Sequence, residues 1–262
     1  MEPIIYQGIA SIEKKHWWYV GRRRILAILL PRYFISAKDK NDARKILSIG
    51  CGTGEELKFL KRYGEVSGVE DNEEAIHFCR LSGVGELVKK ASATDLPFSD
   101  SFFDVVFALD VLEHVKDEDV ALHEMRRVLK SGGILVLTVP AFTSLWSNAD
   151  IRAHHYRRYH KKGLLHTLLS ARFKPLRVNY FNTLLFVPIA ILKIWARSSE
   201  PKVLDGAEVS MPPTPINTLL TLIFSLEALW MQWFHFPFGI SLVAIAEKEH
   251  ERAAPRREIM FS

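Results

Sequence analysis

Cysteine is scarce in this chain, with two residues in 262. Cys51 and Cys79 cannot build a framework of disulfides, so their number favours a reducing, cytoplasmic setting. The N-terminus lacks the charged-then-apolar layout of a signal peptide, and we expect none. The apolar run at 25–30 stops at Pro31 and is far too short to span a bilayer. These shortages argue against a secreted disulfide scaffold and against a transmembrane protein.

An excess of charge of one sign is also lacking, because 35 Lys and Arg residues face 30 Asp and Glu residues. The basic residues are unevenly placed, however. They form dense clusters at Arg22–Arg24 and between Arg152 and Lys162. Such clusters predict an anionic substrate or an anionic membrane surface rather than nucleic acid.

From Arg44 onward the pattern alternates between short apolar strands and helices. Strands are predicted at 45–49, 65–69, 86–90, 104–108 and 134–139, then at 176–180 and 241–246. Helices are predicted at 72–81, 117–129 and 161–171, with a glycine C-cap at 131–133 and a long loop at 141–160. This alternation predicts parallel strands with helices on both faces.

The flanking segments predict one domain over 1–248 rather than two. Residues 1–40 read as a helical N-terminal lid, and residues 183–238 read as an apolar helical insertion between the last two strands. The charged tail at 249–262 is predicted to be flexible.

A glycine-rich turn follows the first predicted strand, with Gly50, Gly52 and Gly54 at alternate positions. Glycines let a ligand approach bare backbone, and this edge of an α/β sheet is where adenosine cofactors bind. A dinucleotide fingerprint needs a further glycine, but Glu55 follows and would repel a pyrophosphate. S-adenosylmethionine carries no phosphate and is therefore favoured. Glu70 ends the second strand and can accept both ribose hydroxyls, with Asp71 or Asn72 capping the next helix.

Five segments in a fixed order carry a family resemblance: residues 46–54, 69–70, 96–106, 110–115 and 127–133. Over about 44–140 the chain resembles the class I S-adenosylmethionine-dependent methyltransferases of the type 11-like kind. The resemblance implies a Rossmann-like α/β fold with a seven-stranded sheet. Four further segments resemble a bacterial branch linked to envelope saccharides or lipids: residues 16–19, 22–23, 145–147 and 154–159.

The resemblance also implies cofactor-binding positions. They are Gly50, Cys51, Gly52, Thr53, Gly54, Glu70, Asp71, Ser92, Ala93, Leu109 and Asp110. The family usually carries an acid where this chain has Ser48, and often another where it has Ser92. Both serines remove a negative charge near a cationic cofactor, so a weaker affinity is expected.

Candidate residues for the acceptor come from three segments. A proton on an oxygen or nitrogen acceptor needs a base, and His114, His155 and Tyr156 are the candidates. A packing role for His114, and a solvated basic loop at 154–160, are the structural alternatives. No metal site is expected, because adjacent histidines point apart and no cysteine or paired carboxylate completes a ligand set.

The N-terminal motif His16–Tyr19 is predicted to form part of the lid. Substrate contacts are predicted for Trp17, Arg22, Arg23, Arg157 and Arg158. The alternative for the tryptophans is packing of the first helices onto the core. Two adjacent rings are not expected to face the same core.

The apolar insertion contains Glu227 on the apolar face of a predicted helix at 216–235. A carboxylate at the centre of a bilayer costs roughly 2.5–3.5 kcal/mol, so spanning is disfavoured. Burial beside a basic partner, or a shallow interfacial position, fits better. A hydrophobic roof over the site, or a dimer contact, is the alternative.

The sequence therefore predicts S-adenosylmethionine-dependent methyl transfer to an anionic, amphipathic acceptor such as a lipid-linked saccharide. Peripheral contact with the inner face of the membrane follows from the same features. Two alternatives stay open: methylation of a soluble small molecule, and a non-catalytic binding protein that keeps the fold.

Overall fold

The computed structural model describes residues 3–34, 43–191 and 210–249. Parts of three predicted segments lie outside the described residues. They are positions 1–2 and 35–40 of the lid, positions 192–209 of the insertion and positions 250–262 of the tail.

Helices and strands alternate through most of the described chain. The helices are α1 (Pro3–Ile12), α2 (Trp17–Leu29), α3 (Pro31–Phe34), α4 (Glu55–Leu60), α5 (Glu73–Leu81), α6 (Glu118–Val128), α7 (Asn148–Arg152), α8 (Lys161–Ser170) and α9 (Thr214–Trp230), with a helical turn at 186–191. The strands are β1 (Lys45–Ile49), β2 (Glu65–Glu70), β3 (Val88–Lys90), β4 (Phe103–Leu109), β5 (Leu129–Pro140), β6 (Phe173–Phe181) and β7 (Ser241–Lys248).

The seven strands form one sheet in the order β3-β2-β1-β4-β5-β7-β6. Strands β1 to β5 run parallel to one another, whereas β7 runs antiparallel to both β5 and β6. The predicted Rossmann-like α/β sheet of seven strands is confirmed. The reversal at β7 was not predicted, because the helical insertion before it hides the direction in which the chain returns.

The central strands are apolar runs because helices cover both faces of the sheet. On one face, Leu122 and Met125 of α6 pack with Leu164 of α8. On the other face, Leu26 of α2 packs with Leu57 of α4 and with α9.

The predicted glycine C-cap after α6 is wrong. The helix ends at Val128, and Leu129 is already extended and pairs with Phe103. Gly132 lies in an irregular stretch before the regular pairing resumes at Ile134. The predicted loop at 141–160 is also only partly a loop, because it contains α7.

Helices α2 and α9 cross closely at Gly21. A Cβ atom there would lie 2.0 Å from Cδ1 of Phe224. The rings of Trp17 and Trp18 both contact Phe224, with centroid distances of 5.8 and 5.6 Å. The expectation that two adjacent tryptophans could not face one core is therefore wrong. The aromatic ring of α9 lies where both can reach it.

Buried polar side chains hold α9 to the end of β6. Glu227 accepts hydrogen bonds from the backbone N–H groups of Thr183 at 2.7 Å and Leu184 at 3.0 Å. These backbone groups take the place of the basic partner expected for Glu227. One turn further along, just after the last residue of α9, the carbonyl of Met231 accepts from the guanidinium group of Arg177. None of the described helices combines the length and apolar character needed to cross a bilayer.

The crossing at Gly21 generates a stability prediction. Gly21→Ala should lower the free energy of unfolding by about 1–3 kcal/mol, because the added methyl group overlaps Phe224. The gain in helix propensity of about 1 kcal/mol offsets only part of this cost. Urea unfolding of the purified chain measures the difference.

Gly163→Ala is the matched control, because a Cβ atom at this position in α8 meets no atom within 4 Å. It should leave stability unchanged or raise it by up to about 1 kcal/mol. Equal effects of the two substitutions would contradict the close crossing.

Candidate functional site

The topological switch point of the sheet lies between β1 and β4, because β2 and β3 lie on one side of β1, and β4 and β5 lie on the other. Strand β1 pairs with β2 on one side and with β4 on the other. The turn after β1 and the residue after β4, Asp110, therefore meet at a crevice on the carboxyl edge of the sheet. A cavity of about 930 Å³ opens there, a volume typical of small-ligand sites.

Most of the predicted cofactor-binding residues line this cavity. They are Gly50, Cys51, Gly52, Thr53, Glu70, Asp71, Ser92, Ala93, Leu109 and Asp110. Gly54 is the one predicted cofactor-binding residue that does not line the described cavity. A Cβ atom on it would point at Val84, 2.5 Å from Cγ2, because Gly54 begins α4 and packs towards α5.

The glycine turn exposes backbone to the cavity at Gly52. Its φ is +56°, and a Cβ atom there would meet nothing within 4 Å. The left-handed backbone favours glycine, and the open space beside it leaves room for a ligand to approach the backbone. The N–H of Gly52 donates to Oε2 of Glu70 at 2.9 Å, which fixes the turn against the end of β2.

Glu70 is a buried carboxylate, with 5% of its surface exposed. Its Oε1 accepts from the backbone N–H groups of Asp71 at 3.1 Å and Asn72 at 3.2 Å. Burial raises the pKa of Glu70 to about 7, although the N–H groups of Gly52 and Asn72 act in the opposite direction. Asn72 is the cap of α5, since its side chain accepts from the N–H of Glu74 at 2.9 Å.

A carboxylate from α4 replaces the acid missing from β1. Ser48 is fully buried, and its Oγ donates to Oε1 of Glu56 at 2.7 Å. Glu56 lines the cavity, whereas Glu55 pairs with Lys58 at 3.4 Å and faces elsewhere. Glu56 thereby places a carboxyl group beside the position where the acid is missing, although burial raises its pKa. Ser92 lines the cavity and shares a hydrogen bond of 2.7 Å with Thr94.

The N-terminal helices lie over this glycine end of the cavity, which we define as residues 50–53 with Glu56 and Glu70. Arg22 of α2 forms ion pairs with Asp110 and, at 3.5 Å, with Glu56. Thr53 donates its hydroxyl to the carboxylate of Glu13, just after α1. Trp17 and Tyr6 also line the cavity. Residues of the first two helices therefore contribute to the wall of the cavity at its glycine end.

Arg23 is held by the same segment. Its guanidinium group donates to the carbonyl oxygens of Glu13 at 2.9 Å and Lys14 at 3.2 Å. Arg23 lines the cavity, but these bonds take donors that the sequence analysis assigned to a substrate.

At the far side of the cavity, Asp150 organises the segment between α7 and α8. It is 1% exposed and accepts from Nε of Arg158 at 2.7 Å and from Nδ1 of His155 at 2.9 Å. The N–H of Tyr156 donates to the carbonyl of Glu113 at 2.8 Å. This segment is thereby fixed against the turn that follows β4.

Glu113, His114 and His155 come together at this histidine end of the cavity. The two imidazole rings are perpendicular, with centroids 4.5 Å apart. Burial, and then His155, lower the pKa of His114 to about 4, so the ring is neutral near pH 7. Burial, and then Asp110, raise the pKa of Glu113 well above its usual range. The three predicted catalytic residues, His114, His155 and Tyr156, all line the cavity.

The two arginines predicted to bind the substrate in this segment have structural partners. Arg157 lies outside the described lining of the cavity and pairs with Glu118 at 3.0 Å. Arg158 lines the cavity, but it donates to Asp150 and, at 3.1 Å, to the carbonyl of Ala141. Arg158 is therefore a positioning residue rather than a free anion site.

Three carboxylates of the site were missed by the sequence analysis. Glu113 lies inside the motif at 110–115 and Glu56 lies two residues after the motif at 46–54, but their roles depend on contacts with Ser48 and the histidines. Asp150 lies in the segment read as a loop, where neither periodicity nor a motif marks it. A capping box at Ser147 was the available signal.

Comparisons with known proteins agree with this arrangement. Residues 47–137 match the family model described as Methyltransferase domain. Ajmaline N-methyltransferase of Rauvolfia serpentina is 28% identical over 196 residues, covering 69% of this chain and 66% of that protein. The ubiquinone/menaquinone biosynthesis C-methyltransferase UbiE of Vibrio vulnificus is 32% identical over 140 residues, covering 48% of this chain and 54% of that protein. The chain thus spans about half to two thirds of the length of these relatives.

A solved structure shows the same fold over nearly the whole chain. It is an S-adenosylmethionine-dependent methyltransferase of Thermotoga maritima, described as a possible histamine N-methyltransferase. The TM-score is 0.54 at 20% identity, covering 95% of this chain and 100% of that one. Residues 47–137 thus match a methyltransferase domain, and the chain shares the fold of a solved S-adenosylmethionine-dependent methyltransferase.

Proposed function

We propose that the chain transfers the methyl group of S-adenosylmethionine to an anionic amphiphile, such as a lipid-linked saccharide, at a membrane surface. The observation that carries the proposal is the continuity of the cavity. One space joins the bare backbone and Glu70 at the glycine end to His114 and His155 at the histidine end. A donor and an acceptor can therefore lie side by side, and such positioning is the main requirement of methyl transfer.

The glycine end fits S-adenosylmethionine, which supplies an electrophilic methyl group on a positively charged sulfur when bound. Gly52 leaves open space beside the backbone, and Glu70 offers carboxylate oxygens for ribose hydroxyls. Glu56 and Asp110 share the single guanidinium group of Arg22, so acidic groups are in excess over the guanidinium group they face, although burial raises the pKa of Glu56. That excess favours a cationic ligand over a pyrophosphate.

The histidine end suits activation of the acceptor. Asp150 accepts from Nδ1 of His155, which fixes the ring and leaves its Nε2 side for a ligand. Tyr156 is half exposed and lines the cavity beside it. A nucleophilic oxygen or nitrogen placed here can lose its proton as it attacks.

An apolar surface on α9 supports an amphipathic acceptor. Leu219, Leu222 and Leu226 of this helix are about half exposed, and Trp233, in the turn that follows it, is 73% exposed. The opposite side of α9 is buried, so the helix is apolar almost all round. A wide apolar stripe of this kind, rich in tryptophan, suits the interface of a bilayer.

Basic side chains border that surface. Arg24 donates to the hydroxyl of Ser225, and Arg32 donates to the carbonyl of Gln232 at 2.7 Å. Positive charge beside an apolar face favours an anionic membrane. Two free, buried cysteines fit the reducing, cytoplasmic side of such a membrane.

The names of the relatives divide between two kinds of acceptor. The name of UbiE refers to ubiquinone/menaquinone biosynthesis, which supports a lipid-soluble acceptor. The ajmaline enzyme matches a longer stretch of this chain, and it supports the alternative of a soluble amine. Incubation with radiolabelled methyl donor and separated lipid, saccharide and small-molecule extracts distinguishes them. Label in an anionic lipid fraction is expected, whereas label confined to soluble compounds would establish the alternative.

Cofactor affinity should depend on pH through Glu70. Ribose hydroxyls donate to the ionised carboxylate, whose pKa is raised to about 7, so binding below pH 7 must first remove a proton. The dissociation constant of S-adenosylhomocysteine should therefore rise about tenfold from pH 8 to pH 6. Isothermal titration calorimetry measures it.

Glu70→Gln keeps the shape of the side chain but cannot ionise. The amine of the ligand titrates equally with both proteins, so the ratio of wild type to E70Q isolates the carboxylate. We expect E70Q to bind S-adenosylhomocysteine more weakly than wild type at pH 8. The rise in the dissociation constant that Glu70 causes between pH 8 and pH 6 should be absent from E70Q. The same pH profile in both proteins would exclude the ribose-binding role of Glu70.

Removal of the His155 imidazole should affect turnover rather than donor binding. With the labelled acceptor fraction, His155→Ala should lower kcat by about 10²–10⁴-fold. The affinity for S-adenosylhomocysteine should change less than threefold, because the glycine end is untouched. His166→Ala removes an exposed histidine of α8 and should leave both quantities unchanged. A wild-type kcat for His155→Ala would remove this residue from the reaction.

The α9 surface should bind anionic vesicles. Leu222 is 55% exposed, so Leu222→Asp leaves the core intact while placing a charge on the apolar surface. Co-sedimentation with phosphatidylglycerol vesicles should weaken at least tenfold relative to wild type. Leu169→Asp makes the same change at a 59% exposed position of α8 and should bind as wild type does. A wild-type chain that ignores these vesicles would contradict the membrane proposal.

A further inference from the structure

We propose that Glu113, His114 and His155 form a binding site for a first-row divalent transition-metal ion, of which Zn²⁺ is the representative. The proposal rests on the proposed function, because the ion would hold an oxygen or nitrogen of the acceptor at the histidine end. No metal site was expected from the sequence, because adjacent histidines point apart and no cysteine or paired carboxylate completes a ligand set. His114 comes from the turn after β4 and reaches His155 through the fold.

The ligand atoms are already close together. One carboxylate oxygen of Glu113 and one ring nitrogen from each of His114 and His155 all lie within 4.8 Å of one another. Bonds from zinc to nitrogen or oxygen are about 2.0–2.2 Å long. Small rotations of the three side chains would therefore bring the atoms onto a single ion.

Glu113 has an unsatisfied oxygen that a cation would complete. The residue is 1% exposed, and its Oε2 has no hydrogen-bond partner among the described residues. A buried carboxylate oxygen without a partner costs free energy. The nearby guanidinium groups are engaged elsewhere, since Arg158 binds Asp150 and Arg22 binds Asp110. A metal ion supplies the missing positive charge.

The surroundings of His155 are those of a metal ligand. Its Nδ1 is hydrogen-bonded to Asp150 at 2.9 Å, which fixes the ring orientation and leaves Nε2 for a metal. Asp150 is itself held by Ser147 and by two bonds from Arg158, at 2.7 and 3.0 Å. This buried support would keep the imidazole in place before an ion arrives.

The mixture of ligands selects the class of ion. Two imidazoles and one carboxylate suit zinc, iron, cobalt or manganese, whereas magnesium and calcium prefer oxygen ligands alone. Three protein ligands leave coordination positions open, as in catalytic metal sites. All three residues line the cavity, so an acceptor atom can reach the remaining positions.

Metal binding is tested directly on the full chain after treatment with a chelator. Calorimetric titration with Zn²⁺ should show one ion per chain, and Co²⁺ should give absorption bands of a site with nitrogen ligands. His114→Ala, His155→Ala and Glu113→Gln should each weaken Zn²⁺ binding at least about tenfold. Asp150→Asn should weaken it about 10–100-fold while leaving all three ligands in place.

His154→Ala is the matched control, because it removes the neighbouring imidazole, which lies outside the cluster. It should bind Zn²⁺ as wild type does. The proposal is overturned if the wild type fails to saturate with Zn²⁺ or Co²⁺ at about 100 μM, or if His114→Ala binds as tightly as wild type.

S-adenosylhomocysteine binding, measured on the same samples, separates this proposal from the proposed function. It also confirms that each variant is folded. Cofactor binding without metal binding would overturn the metal site alone and leave His155 as the base. Metal binding without cofactor binding would count against methyl transfer and leave the ion site standing.

Discussion

The glycine end depends on one buried cation. Arg22 reaches from α2 to two carboxylates, Asp110 after β4 and Glu56 in α4, and thereby ties the N-terminal helices to the sheet. A buried charge is tolerated only when it is paired, so each of the three groups requires the others. Ser48 joins the same network through Glu56. Loss of the guanidinium group would leave two carboxylates uncompensated beneath the lid.

The two ends of the cavity use charge in different ways. At the glycine end, Glu70 is held by backbone N–H groups and Arg22 is shared between two acids. That arrangement leaves negative charge where a cationic cofactor would lie. At the histidine end, Asp150 is fully engaged by Arg158 and His155, whereas Glu113 keeps an open oxygen. The two ends of a single cavity thus differ in their chemistry.

The parts predicted from sequence are those encoded locally. Strand β1 was predicted with its observed bounds, because four apolar or small residues precede an obligatory turn. Gly52 and Glu70 were located by motif. The direction of β7, the replacement of an acid at Ser48 by Glu56, and the meeting of His114 with His155 depend on residues distant in sequence. No periodicity or spacing encodes such contacts, so only the folded chain reveals them.

Phe224 has a consequence that reaches beyond packing. It lies on the buried side of α9, pressed against Gly21, one residue before Arg22. The outer side of the same helix carries the exposed leucines. Whatever occupies that outer side and shifts α9 also shifts α2, and with it the ion pairs over the glycine end. Binding of a partner to the outer side of α9 and binding of a ligand at the glycine end would then be coupled. Each binding event would change the affinity of the other by the same factor.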